Sequence, residues 1–259
     1  MIWLEGVSYE RGEQPVLENV TLGVAEGELV TVFGPHAAGK STLADIAATH
    51  LVPTTGSVWF ASKKLSTLQR ASLPYVRRNI GVHSERALLL EADTVLETIL
   101  LALGVRGEAL GEAENAALNA LTLLEIADLR DRRIATLSIG QRRMVTLARA
   151  IAGPPKLVIA DEPGMGVGGD VRKAVVRALN FARQERAAVL CATADEQLAN
   201  ELTSIGGRKV HLDHGRIAGA APIGLVPTQG AKPAPRLIVL EVDDSNDEPA
   251  KVPMGKEPA

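Results

Sequence analysis

The sequence predicts an α/β fold: a mostly parallel core sheet, an antiparallel β part ahead of it, and a block of helices inserted in the middle. Three observations point there. Short apolar, β-branched runs alternate with helical stretches along much of the chain. One such run, "LVTVF" at 29–33, feeds a glycine loop that opens a helix. From about residue 86 to 150, helical periodicity replaces the alternation.

The opening segments "IWLEGVSY" and "ENVTLGVAEGELVTVFG" are strand-like, the second broken by a turn at Glu26-Gly27-Glu28. Leu29 to Phe33 has the unbroken apolar character of a buried parallel strand. "KSTLADIAATHL" follows as a helix with Leu43, Ile46 and Ala47 on one face. "TTGSVWF" reads as a hairpin return, and "LPYVRRNIGVHS" brings in another short strand. The inserted block holds "TVLETILLALG", "EAENAALNALTLLEIADL" and "QRRMVTLARAIAG", with Gly and Pro mainly at their ends. "KLVIADEP" and "AAVLCATAD" are then strands on either side of the helical "VRKAVVRALNFARQE".

Residues 1–225 are expected to form one domain, with 226–259 a separate tail. "PTQGAKPAP" is a Pro/Gly linker, and "RLIVLEV" either adds a strand at a sheet edge or meets a partner. The acidic end has too few apolar residues to pack, so about its last fifteen residues are expected to be disordered.

Composition narrows the partners. Net charge is -3 and aromatics make up 3% of the 259 residues, so neither a basic field nor a base-stacking platform is available for nucleic acid. Cys191 is the single cysteine, which excludes an internal disulfide and fits a reducing compartment. No signal peptide is visible and no apolar run is long enough to span a bilayer. A cytoplasmic protein is expected, one whose membrane work would need another subunit to do the spanning.

The chemistry lies in three stretches. "GPHAAGKST" has phosphate-binding spacing: Gly34, Pro35, His36, Ala37, Ala38 and Gly39 form a loop whose N–H groups would face phosphate oxygens at a helix start. Lys40 would reach the β- and γ-phosphates, Ser41 would give Mg²⁺ a hydroxyl, and Thr42 completes the motif. "KLVIADEP" ends a strand in Asp161, suited to the Mg²⁺ shell, and Glu162, placed to orient or deprotonate a water. "LSIGQ" sets Ser138, Gly140 and Gln141 just ahead of or within a helix start, where Ser138 is either an anion ligand or simply a helix cap.

Together these stretches resemble the ATP-binding cassette family, the ATPase subunits of ABC transporters, over roughly residues 2–225. "GPHAAGKST" matches its Walker A, "LSIGQ" its signature and "VIADEP" its Walker B. Tyr9 matches the aromatic that stacks on adenine; without the other motifs a strand-edge tyrosine would read about as well there. The stretch from "LPYVRRNIGVHSERALLLE" onward looks like the FtsE, lipoprotein-export and macrolide-export branch. The resemblance implies a P-loop NTPase of ABC type with ATP and Mg²⁺ as cofactors. It also implies a second ATPase subunit, homo- or hetero-, whose site Ser138, Gly140 and Gln141 would complete. An integral-membrane permease would hold the cassette at the inner face of the membrane. Pro74, Tyr75, Val76, Leu88 and Leu89 are either permease contacts or core packing.

Departures from the family pattern cluster where turnover is controlled. The usual glutamine before the helical insertion is Glu85, which puts a carboxylate beside the metal position of Ser41 and Asp161. The aspartate after Walker B falls at Gly168, and the switch histidine is Ala194. The signature's third residue is Ile139, and His36-Ala37 stands where Ser-Gly is common. One lost transition-state contact costs about 10²–10³ in rate, so the expected function is an ATPase with impaired turnover. The alternative is a regulatory pseudo-ATPase that gates a membrane partner by binding alone. A DNA-associated cassette lacks support, having neither a long heptad insertion nor a basic patch, and a P-loop kinase leaves "LSIGQ" unexplained.

Overall fold

The computed structural model describes residues 1–68, 70–85, 87–153, 155–165 and 169–218. Gly168, the linker, "RLIVLEV" and the acidic end lie outside the described residues.

The chain opens with β1 (Ile2–Arg11) and β2 (Gln14–Val24), an antiparallel pair that buries Ile2, Leu4, Val7, Leu17 and Val20. Next, β3 (Leu29–Phe33) is buried almost throughout and leads through the glycine loop into α1 (Lys40–Ala47). β4 (Thr55–Phe60) returns along β1, and the short β5 (Lys63–Lys64) pairs with β4. The result is a four-stranded antiparallel sheet in the order β2-β1-β4-β5, the antiparallel β part expected from sequence. The short α2 (Leu73–Arg77) precedes β6 (Ile80–His83).

The helical insertion follows as α3 (Val95–Arg106), α4 (Leu110–Leu123) and α5 (Ile139–Ile151). α3 starts at a capping box of Thr94 with Glu97, and α5 at one of Ser138 with Gln141. Ile99, Leu103, Leu121 and Leu147 are fully buried within the insertion and join a core that reaches Val158 and Val189 of the main sheet. This continuity fixes α5 relative to the sheet. Gly81 tightens the junction: a Cβ there would lie 1.8 Å from the Ala150 carbonyl, so only glycine lets β6 come this close to α5.

β7 (Leu157–Asp161), α6 (Gly169–Gln184), β8 (Ala188–Thr193), α7 (Glu196–Ser204), β9 (Arg208–Asp213) and β10 (Arg216–Ala218) complete the described chain. The main sheet has six strands in the order β10-β9-β3-β8-β7-β6, parallel except for β10 at its edge. β9 and β10 are not legible in the sequence. Their side chains alternate between exposed and partly covered at a sheet edge, which mutes the apolar run that marks β3, β7 and β8.

Register decides where a site can form. Phe33 of β3 pairs with Thr193 of β8, and Asp161 of β7 pairs with Ala192 of β8. The carboxyl ends of three central strands therefore finish level, and the loops that leave them share one crevice.

Candidate nucleotide site

The glycine loop is built with strained backbone. Gly39 has φ 101°, and a Cβ there would meet Leu17 and the Val16 carbonyl at 2.8 Å. Ala37 has φ 64°, a left-handed conformation that costs a non-glycine residue about 1–2 kcal/mol. The loop tip, Pro35, His36 and Ala37, is exposed, whereas Gly34, Ala38, Gly39, Lys40 and Thr42 are buried. Lys40 donates to the main-chain oxygens of Gly34 at 3.0 Å and Pro35 at 2.8 Å, and its ammonium lies 3.5 Å from Glu162 Oε1.

Glu162 leaves β7 with φ 48°, a second strained residue at the crevice. Both of its carboxylate oxygens are engaged. Thr193 Oγ1 donates to Oε2 at 3.0 Å, and the Ala194 N–H donates to Oε1 at 2.9 Å and Oε2 at 3.1 Å. Position 194, where the family pattern has a histidine, thus meets Glu162 through its main chain.

Asp161 sits deeper. Burial, helped by Glu162 and Asp45 nearby, raises its carboxyl to about 6 against the pull of a Ser41 hydrogen bond and Lys40. Its Oδ1 is buried with no hydrogen-bond partner, an arrangement that costs free energy unless something electropositive meets it. Ser41 and Asp161 therefore fit Mg²⁺, which neutralises phosphate charge when bound. Among the described residues no three His, Cys, Asp or Glu side chains form a metal cluster, so phosphate and water oxygens would have to complete such a shell.

Ser41, Asp161, Glu162 and Glu85 line one cavity of about 50 Å³, with room for a few waters. His83, Arg143 and Met165 line it as well, and no motif in the sequence marks any of these three. Arg143 donates to Glu85 Oε1 at 2.9 Å and to the Met165 carbonyl at 2.5 Å. Behind it, Thr146 Oγ1 donates to the Arg143 carbonyl at 2.7 Å and lies 2.7 Å from His83 Nδ1. The threonine's only proton is then spent, so His83 carries its proton on Nδ1. Burial first, and then Arg143 and Arg149, hold His83 down at about 4. The one signal that could have found Arg143 is a cation on the helix that "LSIGQ" opens.

Ser138 accepts from the Gln141 N–H at 3.2 Å, and Gln141 returns a bond to the Ser138 N–H at 3.0 Å. In the single chain both residues thus act as the helix cap. Gly140 has open space around it, and Ile139 is 76% exposed. Tyr9 is half-buried against the core formed by the two sheets and α1. Tyr75 and Leu88 are exposed at 66% and 87%, whereas Val76 and Leu89 pack against the cores.

A family model described as ABC transporter matches residues 17–164, from β2 through the loop after β7. The chain is an ATP-binding cassette of that family. Among relatives, the cassette is 34% identical over 191 residues to the methionine import ATP-binding protein MetN of Cupriavidus metallidurans, covering 71% of this chain and 55% of MetN. It is 32% identical over 186 residues to the cell division ATP-binding protein FtsE of Bacillus subtilis, covering 72% of this chain and 82% of FtsE. The cassette thus spans about half the length of that methionine importer. Among solved structures it is similar to the bacterial ABC transporter cassette MJ0796 in its dimeric form, with TM-score 0.76, 28% identity, and coverage of 87% of this chain and all of the other. The same cassette in a post-hydrolysis state bound to ADP and Pi gives TM-score 0.75 with equal coverage. No helix among the described residues is long and apolar enough to cross a membrane.

Proposed function

We propose that this cassette is the ATP-binding subunit of a membrane complex. Two cassettes would close on Mg-ATP, drive an integral-membrane permease, and hydrolyse the nucleotide slowly. The observation that carries this reading is the convergence of Ser41, Asp161 and Glu162 on one cavity beside Lys40, with position 194 contributing only a main-chain N–H. Lys40 would exchange its carbonyl partners for β- and γ-phosphate oxygens. Ser41 and Asp161 would hold the metal, and Glu162 would orient a water and take its proton. No side chain at 194 is available to follow the γ-phosphate, so turnover is slow relative to binding.

Ser138, Gly140 and Gln141 would complete the partner's site, as the dimeric form of the similar cassette suggests. Tyr75 on α2 and Leu88 after β6, both exposed, are the surface offered to the permease. The similarity to FtsE and MetN, both named as ATP-binding proteins, supports a cassette working at the inner face of a membrane through that partner.

Steady-state ATP hydrolysis tests this. Slow turnover is expected, lowered a further 10²-fold or so by Glu162→Gln and raised by Ala194→His. Turnover that is fast, and indifferent to Ala194→His, overturns the slow-motor reading. A second reading, a gate worked by binding alone, is favoured by the three hydrogen bonds, from Thr193 and Ala194, that occupy Glu162. It would be established by background turnover that Glu162→Gln leaves unchanged while Mg-ATP still binds.

A further inference from the structure

Arg143 is a cation of the site that its assigned chemistry does not use. It lies on α5, its side chain is only 19% exposed, and it lines the cavity that Ser41, Asp161 and Glu162 also line. Its two partners are a carboxylate, Glu85 at 2.9 Å, and a main-chain carbonyl, that of Met165 at 2.5 Å. Lys40 has the same kind of coordination: carbonyls of Gly34 and Pro35, and the carboxylate of Glu162 at 3.5 Å. Both cations are thus satisfied by carbonyl and carboxylate oxygens of the chain itself.

The exchange is easier for Arg143. Glu85 is 70% exposed, and an ion pair with so exposed a partner contributes little to stability. A terminal phosphate carries more charge than one carboxylate and offers paired oxygens to a planar guanidinium fork. The anchoring is firm as well. The arginine's main chain accepts a bond from Thr146, and α5 is packed against β6 through Gly81.

We propose that Arg143 is a second cation of the nucleotide site, one that leaves Glu85 and contacts the terminal phosphate of ATP from within the same chain. This rests on the nucleotide-site reading above. It gives the cassette a side-chain contact to the γ-phosphate that position 194 lacks. Glu85 is its resting partner, so the carboxylate at that position is neutralised when the site is empty of phosphate.

The test is a calorimetric titration of the wild type, Arg143→Gln, Arg143→Lys and Glu85→Gln with Mg²⁺ and either ADP or the β,γ-imido analogue of ATP. Arg143→Gln is expected to weaken the triphosphate about tenfold or more while ADP changes less than about twofold. Arg143→Lys should recover part of the loss. Equal weakening of both nucleotides, or no weakening, overturns the proposal, since a merely structural arginine cannot discriminate between them. If Arg143→Gln does not fold, Glu85→Gln decides: freeing the guanidinium should tighten the triphosphate severalfold over ADP, and no change overturns the proposal. A wild type that binds neither nucleotide defeats the nucleotide-site reading and this inference together. One that binds both, with Arg143→Gln indistinguishable, defeats only this inference.

Discussion

Of the three carboxylates that line the cavity at the ends of the central strands, Glu162 and Glu85 each hold a cation, but their surroundings differ. Lys40 and Glu162 have side chains 5% and 18% exposed, at the start of α1 and just past the end of β7, on either side of β8. Arg143 and Glu85 are 19% and 70% exposed, and their pair bridges the helical insertion to the segment after β6. The first pair belongs to the rigid centre of the fold. The second ties an appended element to it by a contact that solvent already weakens. Exchange of partners at the second pair therefore leaves the Lys40 grip in place.

The largest expected effect breaks the first pair. Lys40→Ala should weaken both ATP and ADP, each on the order of a hundredfold or more, because the buried ammonium's charge-assisted bond to the β-phosphate is lost from both. It also strips Glu162 of its only cation among the described contacts, although Thr193 and Ala194 still bind it, so the protein should remain folded. Titration with both nucleotides checks this. If Lys40→Ala discriminated between ATP and ADP as strongly as Arg143→Gln, the two pairs would not be doing different jobs.

The contrast also separates what is legible in the sequence from what is not. The strand, loop and helix at 29–47 and the acidic end of β7 are local: apolar runs, glycine spacing and an Asp-Glu pair are visible in ten or so consecutive residues. Arg143 and the Met165 carbonyl are 22 residues apart, and Arg143 and Glu85 are 58 apart. Nothing in the periodicity of α5 says which polar residue turns toward the sheet. Glu85 is legible only as a departure from the family pattern; its neutralising partner emerges from the packing of α5 on β6. The main-chain role of Ala194 is hidden for the same reason, since an N–H is common to nearly every residue type.

A middle-sized effect sharpens the comparison by asking how well the wall behind Arg143 excludes charge. His83 is 1% exposed and held near 4, against an unfolded value of about 6.5. The unfolded chain therefore takes up the proton first on acidification. The stabilising difference is fully present above about pH 6.5 and is lost as pH falls toward 4. It amounts to on the order of 3 kcal/mol across that window. Urea unfolding at pH 7 and pH 4.5 should show the loss in wild type and a smaller one in His83→Asn, which keeps a donor for Thr146. Equal losses in both would mean that His83 is not the group responsible. Arg143→Gln should narrow the difference, because one of the charges holding His83 down is removed.

The smallest effect compares two helix starts that look alike. At α3, the Glu97 N–H donates to Thr94 Oγ1 at 3.2 Å, and the Thr94 N–H donates to Glu97 at 2.7 Å. At α5, the corresponding bonds between Ser138 and Gln141 are 3.2 Å and 3.0 Å. As caps they are equivalent, so Thr94→Ala and Ser138→Ala should each cost about 1 kcal/mol in unfolding experiments. As parts of the cassette they are not: Ser138 opens the signature beside exposed Ile139 and is proposed to meet the partner's nucleotide, and Thr94 has no such assignment. Sedimentation with the β,γ-imido analogue and Mg²⁺ should therefore show weaker association of two copies for Ser138→Ala than for Thr94→Ala at matched stability loss. If the two variants associate equally, the bonds seen in the single chain are the whole role of Ser138, and the signature helix contributes to closure through Gly140 and the main chain instead.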